Sequence, residues 1–239
     1  IISTFTALAL WSTIHLLSRI FFFFKHYHGL YFWSLVITSL SLSIRAIGFL
    51  LRWVAHNVPW QFSLYLVEVG WIGMVTGFSI VLWSRLNIIV LNVKILRYVL
   101  IMIIVNGVVF HSALVILQYG LAAQKGDPVK RAPWLKVLNP FERVQITMFT
   151  VQEFIITCIY IHAAYKLLVD RLIRQPHAIR NVLLLLFCVQ LGILMMDVVV
   201  IAFDLAGFFT LKAVLHSWVY GIKLELEFVV LNQLVDIAK

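Results

Sequence analysis

The chain has 239 residues, 63% of them hydrophobic and 12% charged, about half the charged share of soluble domains. A mean hydropathy of +1.01 goes with that composition and excludes a soluble globular domain; this is an integral membrane protein. The formal charge of +9 is spread over both ends of the apolar segments, which fits contact with lipid headgroups and not a nucleic-acid-binding face.

A hydrocarbon ruler of roughly 20 residues per span predicts seven helices. They run Ile1 to Phe24, Leu30 to Val54, Trp60 to Trp83, Ile95 to Tyr119, Phe141 to Leu168, Val182 to Ala206 and Phe209 to Ile237. The segment from Ile1 is too long for a signal-peptide core. Lys25 to Gly29 is too polar to be buried, Pro59 stops a helix, and Gly126-Asp127-Pro128 opens a polar loop. Arg174 to His177 closes the fifth span, and Ala206-Gly207 makes a tight final connection. The expected fold is all-α: one polytopic seven-helix bundle over residues 1–239, with no internal repeat of the kind that builds many transporters.

Call the side on which the first helix starts side A. Side B then carries Lys25, Arg85, Lys94, Arg97, Lys166, Arg171, Arg174, Arg180 and Lys239, nine cations against seven on side A. The bias predicts a cytoplasmic side B and C-terminus and a lumenal N-terminus.

Ionisable side chains stand inside these apolar spans: Arg45, Glu68, Glu153, Asp197, Lys223, Glu225 and Glu227. A charge at membrane depth costs several kcal/mol unless it is paired or faces a cavity, so each is a functional candidate. At 1.5 Å per residue, Glu68, Arg45, Asp197, Glu153 and Lys223 fall about 12 to 20 Å below the side-A rim. His111 and Asn106 share the layer, which suggests one polar-floored cavity open towards side A. Arg45 with Glu68, and Lys223 with Glu153 or Glu227, are possible structural ion pairs that fix helix register. Lys223 and Glu227 are four residues apart and share a helix face, whereas Glu225 needs another partner. Asp204 is expected near the side-A rim, in water. His15 and His162 read as satisfied core histidines, and Cys158 and Cys188 as small core residues with no disulfide or zinc spacing.

Many aromatics, among them Tyr65, Trp71 and Phe149, surround this layer. An acid beside aromatic faces in an apolar cavity suits carbocation chemistry: the acid protonates an olefin or opens an epoxide, and ring quadrupoles stabilise the migrating charge.

Three blocks are more specific: Gly29-Leu30-Tyr31-Phe32-Trp33-Ser34, then Glu142-Arg143-Val144-Gln145 with Gln152-Glu153-Phe154-Ile155, then Lys223 to Phe228 with Leu231-Asn232. Together they resemble a fungal family of seven-helix membrane proteins. In size and build the chain is also similar to the integral membrane terpene cyclases of fungal meroterpenoid pathways, such as those making macrophorins and ascofuranone. That resemblance implies an endoplasmic-reticulum isomerase that cyclises the prenyl chain of a prenylated aromatic or quinone-like substrate, with no cofactor or metal. The absence of an Asp-rich DDxxD motif agrees with a proton-initiated route.

The sequence-based expectation is therefore a lipophilic-substrate cyclase with Glu68, Glu153 and Asp197 as acid candidates. Arg45 and Lys223 would orient them, with Glu227, and Tyr65, Trp71 and Phe149 would line the cation path. Other readings stay open. Lys223 in the seventh helix could hold retinal, although Val219 stands where an aspartate is expected; a receptor lacks DRY-like and NPxxY-like motifs; a proton-coupled carrier would also use buried acids.

Overall fold

The computed structural model describes residues 2–23, 29–54, 57–124, 126–171, 176–207 and 209–238, with side chains described at 4, 6–22, 29–54, 57–124, 126–166, 184–203, 205–207 and 215–230. Outside them lie the Lys25 to His28 stretch, the start of the break at Arg174, and the side chains of Asp204, Arg180, Lys212, Asn232 and Lys239.

Seven helices make up the described fold: α1 (Ile2–Phe23), α2 (Leu30–Trp53), α3 (Trp60–Ile89), α4 (Val93–Ala123), α5 (Pro128–Arg171), α6 (Pro176–Leu205) and α7 (Phe209–Ala238). Among the described residues, five segments are long and apolar enough to cross a membrane, in α2, α3, α4, α5 and α6; in α1 the stretch Thr6–Phe22 is a shorter apolar helix. Consecutive helices pack on one another, α1 meets α7 to close the ring, and α3 also touches α5 and α7. The outer surface carries Trp11, Phe22, Trp33, Ile101, Ile116 and Val198, and the interior holds Lys223, Glu227, Arg85 and Gln152. Apolar side chains face lipid and polar ones face each other, as hydrocarbon solvent requires.

Helices α2 and α3 form the tightest seam. A Cβ on Gly48 would lie 2.8 Å from the backbone nitrogen of Val67, and one on Gly70 would lie 2.6 Å from Cβ of Arg45. Gly73 and Gly77 abut Ser41 and Thr38 in the same way. Small residues here let two backbones approach closely, which is how helices gain dispersion contact where lipid supplies no hydrophobic drive.

Most boundaries lie within four residues of the sequence reading, and three lie further off: α6 starts at Pro176 and not Val182, and the other two are in α3 and α5. Helix α3 continues past Trp83 to Ile89, because nothing in Ser84-Arg85-Leu86 breaks a helix, and it buries all three residues. Arg85 is thus an interior residue and not a side-B rim cation. Helix α5 begins at Pro128 and not Phe141. Asp127 caps it by accepting hydrogen bonds from the backbone N–H of Val129 (3.0 Å) and Lys130 (3.3 Å). Pro128 then occupies the first turn, where its missing N–H costs nothing. The hydrocarbon ruler had no means of finding these polar turns. Trp134 on this extension covers Gly120 of α4.

Candidate functional site

Four inward residues of α7 recur at intervals of four, three and four: His216, Tyr220, Lys223 and Glu227. That spacing places them on one helical face, over about 16 Å of depth. The buried polar groups of the other helices gather along this ladder in three groups.

Towards side A, Arg45 donates from Nε to Ser217 Oγ at 3.1 Å and lies 4.3 Å over the Trp71 ring and 5.0 Å over Phe49. Trp71 meets the His216 ring edge-on at 4.8 Å, and His216 stacks on Tyr220 at 5.1 Å. Arg45 and Glu68 line the same cavity, yet among the described residues the two make no ion pair within 4.0 Å.

In the middle, Lys223 is wholly buried and donates to Glu153 Oε2 at 2.8 Å and to Asp197 Oδ1. Tyr220 donates its hydroxyl to Glu153 Oε1 at 3.0 Å. The Lys223 ammonium also lies 4.6 Å over the Tyr220 ring and 5.3 Å over Phe78. One ammonium here serves two carboxyls. The cluster is neutral when one carboxyl holds a proton.

Towards side B, Arg85 pairs with Glu227, both sealed from solvent, and its guanidinium lies 3.8 Å over the Tyr160 ring. Gln190 donates to Glu227 Oε1 at 2.9 Å and accepts from Thr157 at 3.1 Å. Glu227 therefore answers Arg85 on α3 and not Lys223 on its own helix. A long-range partner has displaced the local one. Glu225 points to the other side, where its carboxylate is 3.3 Å from His15 Nδ1.

Two cavities flank the ladder. The larger, about 830 Å³, lies between α5 and α6 and opens towards the lipid. Its wall is apolar, with Phe154, Tyr165, Phe187 and Leu191, and Glu153, Asp197, Thr157 and Gln190 supply its polar floor. The second, about 470 Å³, is a side-A vestibule lined by Arg45, Arg52, Glu68, Trp71, Gln145 and His216 among others. Between them Trp71, Phe149, His216, Tyr220 and Asp197 surround a gap of only about 10 Å³.

The single side-A cavity expected from depth is thus two cavities with a wall of aromatic rings between them. Glu153 and Asp197 come together and Glu68 stands apart. Trp71 and Phe149 are in the dividing wall, Phe149 stacked on His111 at 5.2 Å. Tyr65 is 55% exposed on the outer face of α3 and lines neither cavity. Cys158 and Cys188 are exposed free thiols and not core residues, because they lie on the lipid-facing sides of α5 and α6; Cys158 and the exposed His162 line the large cavity. His111 accepts or donates at 3.0 Å with Thr76, and Asn106 donates to Gln152, which donates to Ser79.

These features define a polytopic helical membrane protein in which one buried lysine joins two carboxyls beside a cavity on the outer face of α5 and α6. Over residues 1–239 the chain matches the family model described as Domain of unknown function (DUF7703), and it belongs to that family. No curated protein and no solved structure matches it.

Proposed function

We propose that the protein is a membrane isomerase that cyclises the prenyl chain of a lipophilic precursor by proton transfer from a carboxylic acid, with the α5/α6 cavity as its chamber. The observation that carries this reading is the apolar cavity floored by Glu153 and Asp197. Its volume of about 830 Å³ lies within the range of small-molecule sites, and its lateral opening suits a substrate dissolved in the bilayer. Both oxygens of Glu153 accept hydrogen bonds, from Lys223 and Tyr220, whereas Asp197 takes part through Oδ1. Oδ2 of Asp197 takes no part in the cluster's hydrogen bonds, so in this reading it is the oxygen that presents a proton to the substrate.

Asp197 gives that proton to a terminal olefin carbon or an epoxide oxygen. Each ring closure forms one C–C bond from a neighbouring double bond and moves the cation along the chain. Loss of a proton from the last cation to Glu153 restores the cluster's charge. No atom is gained or lost, so the product is an isomer of the substrate. In this reading the protein sits in the endoplasmic reticulum with its N-terminus lumenal; burial of Arg85 leaves eight side-B cations against seven for that orientation.

The test is a microsomal assay on the expressed chain with farnesylated phenols and cyclohexenones, with and without a terminal epoxide. The expected result is a product of unchanged mass and altered retention, lost in Asp197→Asn. Folded protein that yields no isomer from a broad substrate set, or Asp197→Asn with wild-type turnover, would sink the proposal.

A second reading, proton-coupled transport, draws on the ladder of buried polar residues along α7. Uptake into liposomes that follows an imposed pH gradient and fails in Lys223→Met would favour it.

A further inference from the structure

Three buried polar atoms in residues of the side-A vestibule have no hydrogen-bond partner: Glu68 Oε2, Trp71 Nε1 and Gln145 Nε2. Their residues are 6%, 6% and 1% exposed. Each such atom carries a desolvation cost that a binding partner would remove. The set is mixed, one acceptor and two donors, and it comes from two helices, α3 and α5, that line one space. The charged residues of the lining, Arg45 and Arg52 with Glu68 and Glu142, sum to zero. Phe49, Trp53, Leu138 and Ile146 make up much of the remaining wall.

We infer that the vestibule is a second ligand site, for an uncharged ring compound bearing hydroxyl groups, of the phenol or hydroxyquinone class. A hydroxyl both donates and accepts, so it can donate to Glu68 while accepting from Trp71 or Gln145. The zero net charge of the lining gives no surplus attraction for an ion. A zwitterion could match the donors and acceptor, but it would lose more hydration against these apolar and aromatic walls than a neutral ring does. The half-exposed Trp53 ring in the lining offers a face on which a ring can stack. The aromatic wall at Trp71, Phe149 and Tyr220 separates this site from the α5/α6 cavity, so the inference stands whether or not that cavity is a cyclisation chamber.

The test is equilibrium dialysis of radiolabelled 4-propylphenol against the full chain in lipid nanodiscs, with uptake by empty nanodiscs subtracted. Saturable binding is expected. It should weaken about tenfold in Glu68→Gln and in Gln145→Leu, and about tenfold for the O-methyl ether of the probe, which lacks the donor. Helical content and elution as a single species identify folded variants, and the ether comparison uses wild-type protein alone. Uptake no greater than that of empty nanodiscs, or equal binding of phenol and ether, would overturn the inference. Preferential binding of phenylalanine would replace the neutral class with a zwitterion.

Discussion

Two buried cations meet the buried acids around α7, Arg85 on α3 and Lys223 on α7 itself, and they do so differently. Arg85 and Glu227 are matched one to one and sealed, with Gln190 supplying a further hydrogen bond. Lys223 is shared between Glu153 and Asp197, and both carboxyls border open cavity. A neutral, closed pair fixes how α3 and α7 stand against each other. A cluster with one cation for two carboxyls, beside an apolar cavity, is the part to which we assign proton transfer. Burial alone does not separate structure from chemistry here; stoichiometry and access do.

The widest gap between the two should appear on removing each cation. Arg85→Met leaves Glu227 buried and unpaired, which is expected to cost about 3–5 kcal/mol. Thermal unfolding in detergent checks it, and Arg85→Met with Glu227→Leu should recover most of the loss. Recovery would confirm a replaceable structural pair; none would give the pair a further role. Glu153→Gln should keep the fold, because the amide oxygen still accepts from Tyr220 or Lys223, while isomer formation falls by about 10²- to 10⁴-fold. Unfolding measured beside turnover separates the two effects.

Lys223→Met should destabilise less than Arg85→Met, by about 1–3 kcal/mol, since Glu153 and Asp197 can then share hydrogen bonds and reach the cavity. Equal losses for the two variants would erase the contrast. The smallest change belongs to Glu225, two residues before Glu227 on α7. Glu225→Gln, facing a half-exposed His15, should shift stability by about 0–1 kcal/mol and leave the unfolding curve close to wild type.

Much of this fold was legible because hydrocarbon leaves so few choices. The span lengths, the proline at 59 and the Gly207 connection set the helices, and of the fourteen predicted ends all but three, the end of α3 and the starts of α5 and α6, fall within four residues of the observed ones. Depth likewise brought Glu153, Asp197 and Lys223 to one level. It carries no information on which face each side chain takes, so Glu68 was grouped with acids that lie beyond an aromatic wall. Arg85 was misplaced because a cation near a span end looks like a rim residue. A signal for it existed: the helical period continues through Leu82, Arg85, Leu86 and Ile89, and α7 presents Glu227 four residues beyond Lys223. Local spacing then favoured Lys223 as the partner of Glu227, and tertiary packing overruled it.

Helix α5 gives these separate rooms a common wall. Its 44 residues would extend about 66 Å as a straight rod, roughly twice the hydrocarbon thickness of a bilayer. Both of its internal prolines, Pro133 and Pro140, precede the part that lines Glu142 and Gln145 on one side and Glu153 and Thr157 on the other. From Phe141 onward the rod has no proline hinge. A tilt imposed at the vestibule end, at Glu142 or Gln145, therefore arrives at Glu153 as a displacement of the same lever, and the width of the α5/α6 cavity is set in part from outside it.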